Sequence, residues 1–317
     1  MAVSGVIQNL IKAFSEFGHG VDEKSLISHL GKWNEDDKKS FWKVTPSFKP
    51  DQRSFARFDA DFLKLLHKEF LRFQGAVVMR TMHPWERDAR LIKKALKKPG
   101  SSDSLSVLVE IACTRSSEEL LGARRAYHSL FDLSIEEDVA YLVHGSERKL
   151  LVALVSAYRY EGSKVKEDTA KSEAKSLANA VKNADKKSPL ENDEVIWILT
   201  TRSKAHLKLV YEQYKVLSGK SLDEDLSADL RLREAVQCLC APQKYFTKVL
   251  DAALKKNADN KAKKALTRVI VTQADTGIKP IREEFQHQYG VALSKKIEDT
   301  ASGNYKDFLL ALVGKEN

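Results

Sequence analysis

The chain has little of what a disulfide-bonded, β-rich or membrane-spanning protein needs. Its 317 residues include 3 cysteines, 7 prolines and 14 glycines. An odd, sparse set of cysteines argues against a disulfide scaffold and for a reduced, cytosolic protein. Scarce glycine and proline leave few turns for a β-rich fold. The longest apolar runs, such as 150–158, fall well short of the roughly 20 residues that span a bilayer. The N-terminal stretch shows no basic-then-apolar signal peptide. The 8 histidines form no His-x-x-x-His spacing, so no hydrolytic zinc site is signalled. Ser218-Gly219-Lys220-Ser221 lacks the upstream glycine of a phosphate loop, and a nucleotidase has no footing. The expectation is a protein that is not an enzyme.

Leu, Ala, Lys and Glu are abundant instead, a usage that favours helix. Fifty-three basic residues face 44 acidic ones, for a net charge of +9. That excess suits attraction to phosphate surfaces, lipid or nucleic acid, without naming either.

Internal repetition organises the chain. Ile111-Ala112-Cys113-Thr114-Arg115 leads into an amphipathic segment, and Ile198-Leu199-Thr200-Thr201-Arg202 does the same 87 residues on. Ile270-Val271-Thr272-Gln273 follows after a further 71 residues, and Ile27–Lys32 is a weaker copy near the start. Ser134-Ile135-Glu136-Glu137-Asp138-Val139 and Ser221-Leu222-Asp223-Glu224-Asp225-Leu226 are a second pair at the same interval of 87. Apolar positions at i, i+3, i+4 and i+7 predict four or five helices per unit, with no credible strand alternation. Met82-His83-Pro84 and Cys240-Ala241-Pro242 mark ends, because the residue before proline resists the α region. The expected units are 5–84, 85–160, 174–242 and 243–314, with 161–173 as a linker between halves.

The order His83-Pro84-Trp85-Glu86-Arg87-Asp88-Ala89, Ala112-Cys113-Thr114-Arg115, Ala126-Tyr127-His128, Arg148-Lys149-Leu150-Leu151-Val152 and Tyr158-Arg159-Tyr160-Glu161-Gly162 resembles the annexins, and among them the plant branch. The resemblance covers about residues 5 to 314. It implies an all-α fold of four repeats of about five helices each, arranged as a curved disc whose convex face meets anionic phospholipid through calcium. It also implies a cytoplasmic protein that joins membranes peripherally as calcium rises, linking calcium signals or stress to membrane organisation. Further implied partners are other copies of itself on the membrane, actin or signalling proteins; no nucleic acid is expected.

Calcium is a hard cation that takes six to eight oxygens. Glycines let carbonyls converge without side-chain obstruction, and lipid phosphate completes the shell. The family pattern is Gly-x-Gly-Thr plus a distant acid. The first repeat carries Glu16-Phe17-Gly18-His19-Gly20-Val21-Asp22-Glu23. Glu16, Gly18 and Gly20 are the leading calcium residues, with Val21, standing where Thr is usual, and Glu23 weaker. Glu69, 15 residues before Pro84, is the matching acid; Asp59 and Asp61 are rivals, because Glu69 lies about nine residues beyond the usual spacing. The segment 46–53 is expected to hold that insertion as a longer loop. In the second repeat Leu142 occupies the acid position and cannot ligate. The third repeat lacks glycine at 183–187 and has an unclear acid near Asp229. The fourth offers Asp259, Asp299 and Thr300 as a weak site.

Where these sites are lost, lysines remain: Lys97, Lys98, Lys186, Lys187, Lys256 and Lys261, with Lys255, Lys263 and Lys264 beside them. They suggest a lipid contact partly independent of calcium, against the plainer reading of solubilising charge. Trp33, Trp42 and Trp85 are read chiefly as core. Asp88, Arg115 and Arg268 match the family's polar channel and are read as ion pairs locking two halves. Cys113 and Cys238 match positions discussed as a redox centre, against a plainer reading as small buried hydrophobes. A histidine-based peroxidase has been proposed in plant annexins; Lys32 stands at that position here. The alternative functions are a helical scaffold for protein or nucleic acid, or a redox or peroxidase-like enzyme.

Overall fold

The computed structural model describes residues 20–30, 48–50, 56–58, 60–97, 102–275 and 277–314. Glu16, Gly18, Lys32, Trp33, Trp42, Asp59 and Lys98, and the side chain of Asp61, lie outside the described residues.

Among the described residues the chain forms seventeen α-helices, one short 3-10 turn and one two-stranded ribbon. It divides into two compact units, 1–81 with 247–317, and 82–246. The first unit holds α1 (Glu23–Leu30), the ribbon of β1 (Phe48–Pro50) and β2 (Ala56–Phe58), α2 (Ala60–Thr81), and the later helices from 247 onward. The ribbon is antiparallel, pairing Phe48 with Phe58 and Pro50 with Ala56. Part of the segment 46–53, expected as a longer loop, is therefore a short strand in an otherwise all-α fold. Three residues per strand are too few to show a period of two in sequence.

The second unit contains α3 (Pro84–Leu96), α4 (Ser102–Thr114), α5 (Ser117–Phe131), α6 (Ile135–Leu142) and α7 (Glu147–Val155). After a connector come α8 (Glu167–Lys182), α9 (Asp193–Thr201), α10 (Lys204–Ser218), α11 (Leu222–Asp225) and α12 (Leu230–Cys240). The chain closes with α13 (Pro242–Ala253), α14 (Asn260–Gln273), α15 (Ile278–Tyr289), α16 (Leu293–Thr300) and α17 (Gly303–Val313). Because α8 begins at Glu167, the connector is shorter than 161–173. Ala170, Ala174 and Leu177 are buried on that helix, a stripe at i, i+4 and i+7 that small alanines make hard to see by hydropathy.

Local chemistry explains the helix ends. Ser116 and Glu119 form a capping box at the start of α5, and Ser221 and Glu224 repeat it at α11. Asp132, Gly219 and Gly290 end α5, α10 and α15 in left-handed conformation. They stand 87 and 71 residues apart, the intervals of the sequence repeat, and the residue after a helix commonly adopts this conformation.

The packing repeats too. Tyr127 donates to Asp138, and Tyr214 donates to Asp225 at 2.8 Å. Each pair ties a long helix to the short one that follows it. In the fourth copy the buried Phe285 replaces the tyrosine and Lys296 replaces the aspartate, so the apolar half of the device persists without the polar half. Gly122 faces the Trp85 ring, where a Cβ would fall 2.2 Å from the nearest ring atom. Trp85 thus packs between α3 and α5. The core of the second unit is built from Leu108, Ile111, Leu150, Leu154, Leu232 and Val236, all buried. That of the first unit gathers Ala76, Leu266, Ile270, Tyr305 and Leu309.

Candidate calcium site

The middle of α2, the start of α17 and the turn before α1 converge in the first unit. Gly20 has φ +109°, a backbone conformation that L side chains rarely adopt, and a Cβ there would lie 2.7 Å from the Ser302 carbonyl oxygen. Both the dihedral and the space require glycine. Its N–H donates to Oε2 of Glu69 at 2.9 Å, across 49 residues of sequence. Glu69 is 1% exposed, so this turn and this acid meet inside the protein.

Arg72, one helical turn further along α2, holds the same carboxylate. Its Nε donates to Oε2 at 2.5 Å and its Nη2 to Oε1 at 2.6 Å. Nη2 also reaches Oδ1 of Asn260 at 3.2 Å, at the exposed rim. Lys263 on α14 is buried and interacts electrostatically with both Glu69 and Arg72. Burial lowers the Lys263 ammonium below its ordinary pKa, with Glu69 opposing. The expectation that Lys263 belongs to a solvent-facing lysine run is therefore corrected. Tyr305 lies against this cluster, bonded to Thr267 at 2.7 Å, and burial pushes its phenol up to about 12.

The neighbouring acids have other tasks. Glu23 accepts from the Asn304 N–H at 3.0 Å, capping the first turn of α17. Asp22 caps α1, accepting from the Ser25 hydroxyl at 2.7 Å and N–H at 3.1 Å. The Ser25 hydroxyl is the main cause that holds its carboxyl below the ordinary value. Val21 is buried, and its carbonyl lies where a Cβ on Gly303 would come within 1.8 Å.

In the fourth repeat Asp259 accepts from the Ala262 N–H at 2.8 Å as the cap of α14. The Thr300 hydroxyl donates to the carbonyl of Lys296 on its own helix at 2.8 Å and also lies 3.3 Å from the carbonyl of Leu254, at the start of its loop. Asp299 points elsewhere, pairing with Lys295 at 2.8 Å. The three residues do not converge, because neighbours on one helix project in different directions. In the third repeat Ser188 meets Asp229 at 3.4 Å. Among the described residues no three His, Cys, Asp or Glu side chains gather into a metal-holding group.

Lys97, Lys186, Lys187, Lys256 and Lys261 are exposed. In the second unit Arg115 grips Asp88, Nε to Oδ2 at 2.6 Å and Nη2 to Oδ1 at 3.1 Å, with both side chains buried. Arg202 and Glu173 repeat the pair, joined by Nε2 of His206 at 2.8 Å from Glu173. Asp88 and Arg115 thus close one unit internally, while Arg268 belongs to the other unit. Cys113 and Cys238 are both buried. Cys240, close to Cys238 in sequence, interacts electrostatically with Cys113. Burial pushes both Cys113 and Cys240 up to about 12, so neither carries the thiolate that reactivity requires.

Sequence reading missed Arg72, Asn260 and Gly303. Arg72 had a signal in its position three residues beyond Glu69 on one helix face. Gly303 had none, because its neighbour Val21 lies at the far end of the chain.

Comparisons with known proteins agree with this architecture. A family model described as annexin matches residues 87–154, 176–231 and 245–312. Annexin D4 of Arabidopsis thaliana is 50% identical over 322 residues, covering 100% of both chains. The annexin-like protein RJ4 of Fragaria ananassa is 38% identical, covering 95% of this chain and 92% of its own. Among solved structures, annexin III superposes with a TM-score of 0.69 at 27% identity, covering 100% of this chain and 95% of that one.

Proposed function

This chain belongs to the annexin family, and we propose from that premise that it binds anionic phospholipid membranes peripherally through one calcium site in its first repeat. Annexins as a family are mainly non-enzymatic, calcium-dependent membrane binders, and this chain acts in the same way, as a binding protein. The observation that carries it is the 2.9 Å contact between the Gly20 N–H and Glu69. A glycine turn with no room for a side chain and a buried carboxylate meet at one point. That is the donor chemistry calcium takes from a protein: backbone oxygens plus one acid.

Glu69 would supply the carboxylate, and the turn around Gly20 would supply carbonyls. Calcium, when bound, provides the positive charge that links these oxygens to lipid phosphate. The Gly20 contact supports Glu69 as the acid; its rivals Asp59 and Asp61 have no side chain among the described residues. In the same reading the fourth repeat closes its loop with the Thr300 hydroxyl and needs no ion there. Exposed lysines beside the degenerate loops add an electrostatic contact independent of calcium. The four repeats would run 5–84, 85–160, 174–242 and 243–314, with α8 beginning earlier than the third of these bounds. We further read the protein as cytoplasmic, recruited to membranes when calcium rises in signalling or stress, with itself, actin or signalling proteins as later partners.

Sedimentation with phosphatidylserine vesicles tests the reading. The full chain should pellet with calcium and remain largely in solution in chelator at physiological salt. Glu69→Gln keeps the shape and removes the charge. It should raise the calcium needed for half-maximal pelleting by about tenfold or more, the scale of one lost carboxylate ligand. Unchanged pelleting of Glu69→Gln would sink the assignment.

A further inference from the structure

Glu69 is the acid on which the proposed calcium site turns, yet its carboxylate is already occupied. Arg72 presents a planar fork, and the two guanidinium nitrogens reach one oxygen each, at 2.5 and 2.6 Å. The Gly20 N–H takes the remaining approach to Oε2. The Arg72 side chain is 7% exposed and that of Glu69 is 0%, so little water weakens the pair. A bidentate arginine is the strongest partner a carboxylate finds among side chains.

Calcium and this guanidinium compete for the same two oxygens. A divalent ion held bidentately needs both of them, and a second cation at ion-pair distance opposes its arrival. The fixed neighbours sharpen that opposition: Lys263 also faces Glu69 from α14. An exit lies open beside the pair. The same Nη2 already touches Asn260 at the exposed rim, and Asp259, an exposed carboxylate, is the next residue. A rotation of the Arg72 side chain towards that rim would keep the Asn260 contact and leave Glu69 free.

We propose that Arg72 is an internal counter-cation that keeps the first-repeat site closed, so that calcium binds only by displacing it from Glu69. The site then answers to raised calcium and ignores resting levels. The proposal rests on the reading of Glu69 as a calcium ligand. The coupling follows from population arithmetic. If the paired form outweighs the open one about ten to one, apparent calcium affinity is about tenfold below that of the open site.

The experiment is a calcium titration of the full chain followed by thermal unfolding and by calorimetry, without lipid. Four chains are compared: the parent, Arg72→Gln, Arg72→Lys and Glu69→Gln. Arg72→Gln removes the competitor and should bind calcium about tenfold more tightly, with a larger calcium-induced rise in melting temperature. Arg72→Lys keeps a charge without the fork and should fall between, about threefold tighter than the parent. Should Arg72→Gln not fold without calcium, Arg72→Lys carries the test alone. Glu69→Gln should lose this calcium response altogether. Equal or weaker calcium affinity in the Arg72 variants, with the response lost in Glu69→Gln, would overturn the counter-cation and leave the calcium site standing. A response unaltered in Glu69→Gln would remove both.

Discussion

Gly303, the first residue of α17, lies so close beneath the carbonyl of Val21 that a Cβ would approach its oxygen to 1.8 Å. The two residues come from opposite ends of the chain. The second neighbour is Oε2 of Glu23, 2.1 Å from the same added carbon. The Val21 carbonyl is backbone and cannot swing aside, and the Glu23 carboxylate could do so only by giving up its hydrogen bond to the Asn304 N–H. The φ of +60° adds a cost that only glycine escapes. Gly303→Ala should therefore destabilise the protein by about 2 kcal/mol or more, on the scale of steric insertion into packed structure. Thermal unfolding measures this directly. A variant as stable as the parent would mean that the turn before α1 moves freely, and the site geometry would lose its support.

The Asp88–Arg115 pair makes a separate prediction. Removing one partner leaves a buried charge without its bidentate counter-charge, at a cost of about 3–5 kcal/mol. Asp88→Asn should lower the unfolding free energy by that amount, read from the shift in denaturant midpoint at unchanged m. The double variant Asp88→Leu with Arg115→Met removes both charges and should recover most of the loss, since desolvating the pair consumes much of its attraction. Full additivity of the single losses would show that the two residues do not act as a pair.

The fold was largely readable because it repeats. Tyr127 with Asp138 and Tyr214 with Asp225 sit at the same interval as the apolar anchors, so one helical plan recurs with its polar ties. Glu69 is reached by counting 15 residues back from Pro84, the spacing that the resemblance implies for the acid. What escaped reading was of two kinds. Contacts between the first and last repeats, such as Gly303 with Val21, leave no trace in either segment alone. Burial within a charged run also hides: Lys261, Lys263 and Lys264 look alike in sequence, yet only Lys263 faces inward. Its position three residues before Leu266 and seven before Ile270 fixes that helical phase. The charge count simply outweighed the phase.

Alkaline conditions should destabilise the protein through its buried thiols and a buried phenol. Burial pushes the thiols of Cys113 and Cys240 from 9.0 up to about 12, and the phenol of Tyr305 from 10.0 up to about 12. The folded chain keeps these protons where the unfolded chain has released them. Their contribution is whole below the unfolded values and is lost as pH rises from there through the folded ones. Lys204 and Lys263 act in the opposite sense, because burial lowers both below 10.5. Melting temperatures between about pH 8 and about pH 11 should fall from near 9 upward. Replacing Cys113 and Cys240 by alanine should flatten that slope. A melting temperature that rises over this interval would show that the lysines dominate and that the thiols are not held protonated by the fold.

The lysines at the degenerate loops set the last expectation, which concerns binding in the absence of calcium. Lys97, Lys186, Lys187, Lys256 and Lys261 are exposed, and each lysine near an anionic bilayer contributes about 1 kcal/mol. This attraction is screened over a Debye length of about 10 Å at 0.1 M salt. In chelator and low salt the chain should therefore pellet with phosphatidylserine vesicles and release as salt rises, while phosphatidylcholine vesicles bind none of it. Replacing Lys186 and Lys187 together by glutamine should weaken this partitioning by roughly thirtyfold, the equivalent of about 2 kcal/mol. The pair is a sound choice because both lie in the loop between α8 and α9, away from Glu69 in sequence, and their loss leaves the calcium titration untouched. Chelator-resistant pelleting that ignores salt would mean an apolar insertion instead, and the lysines would be a solubilising surface with no share in docking.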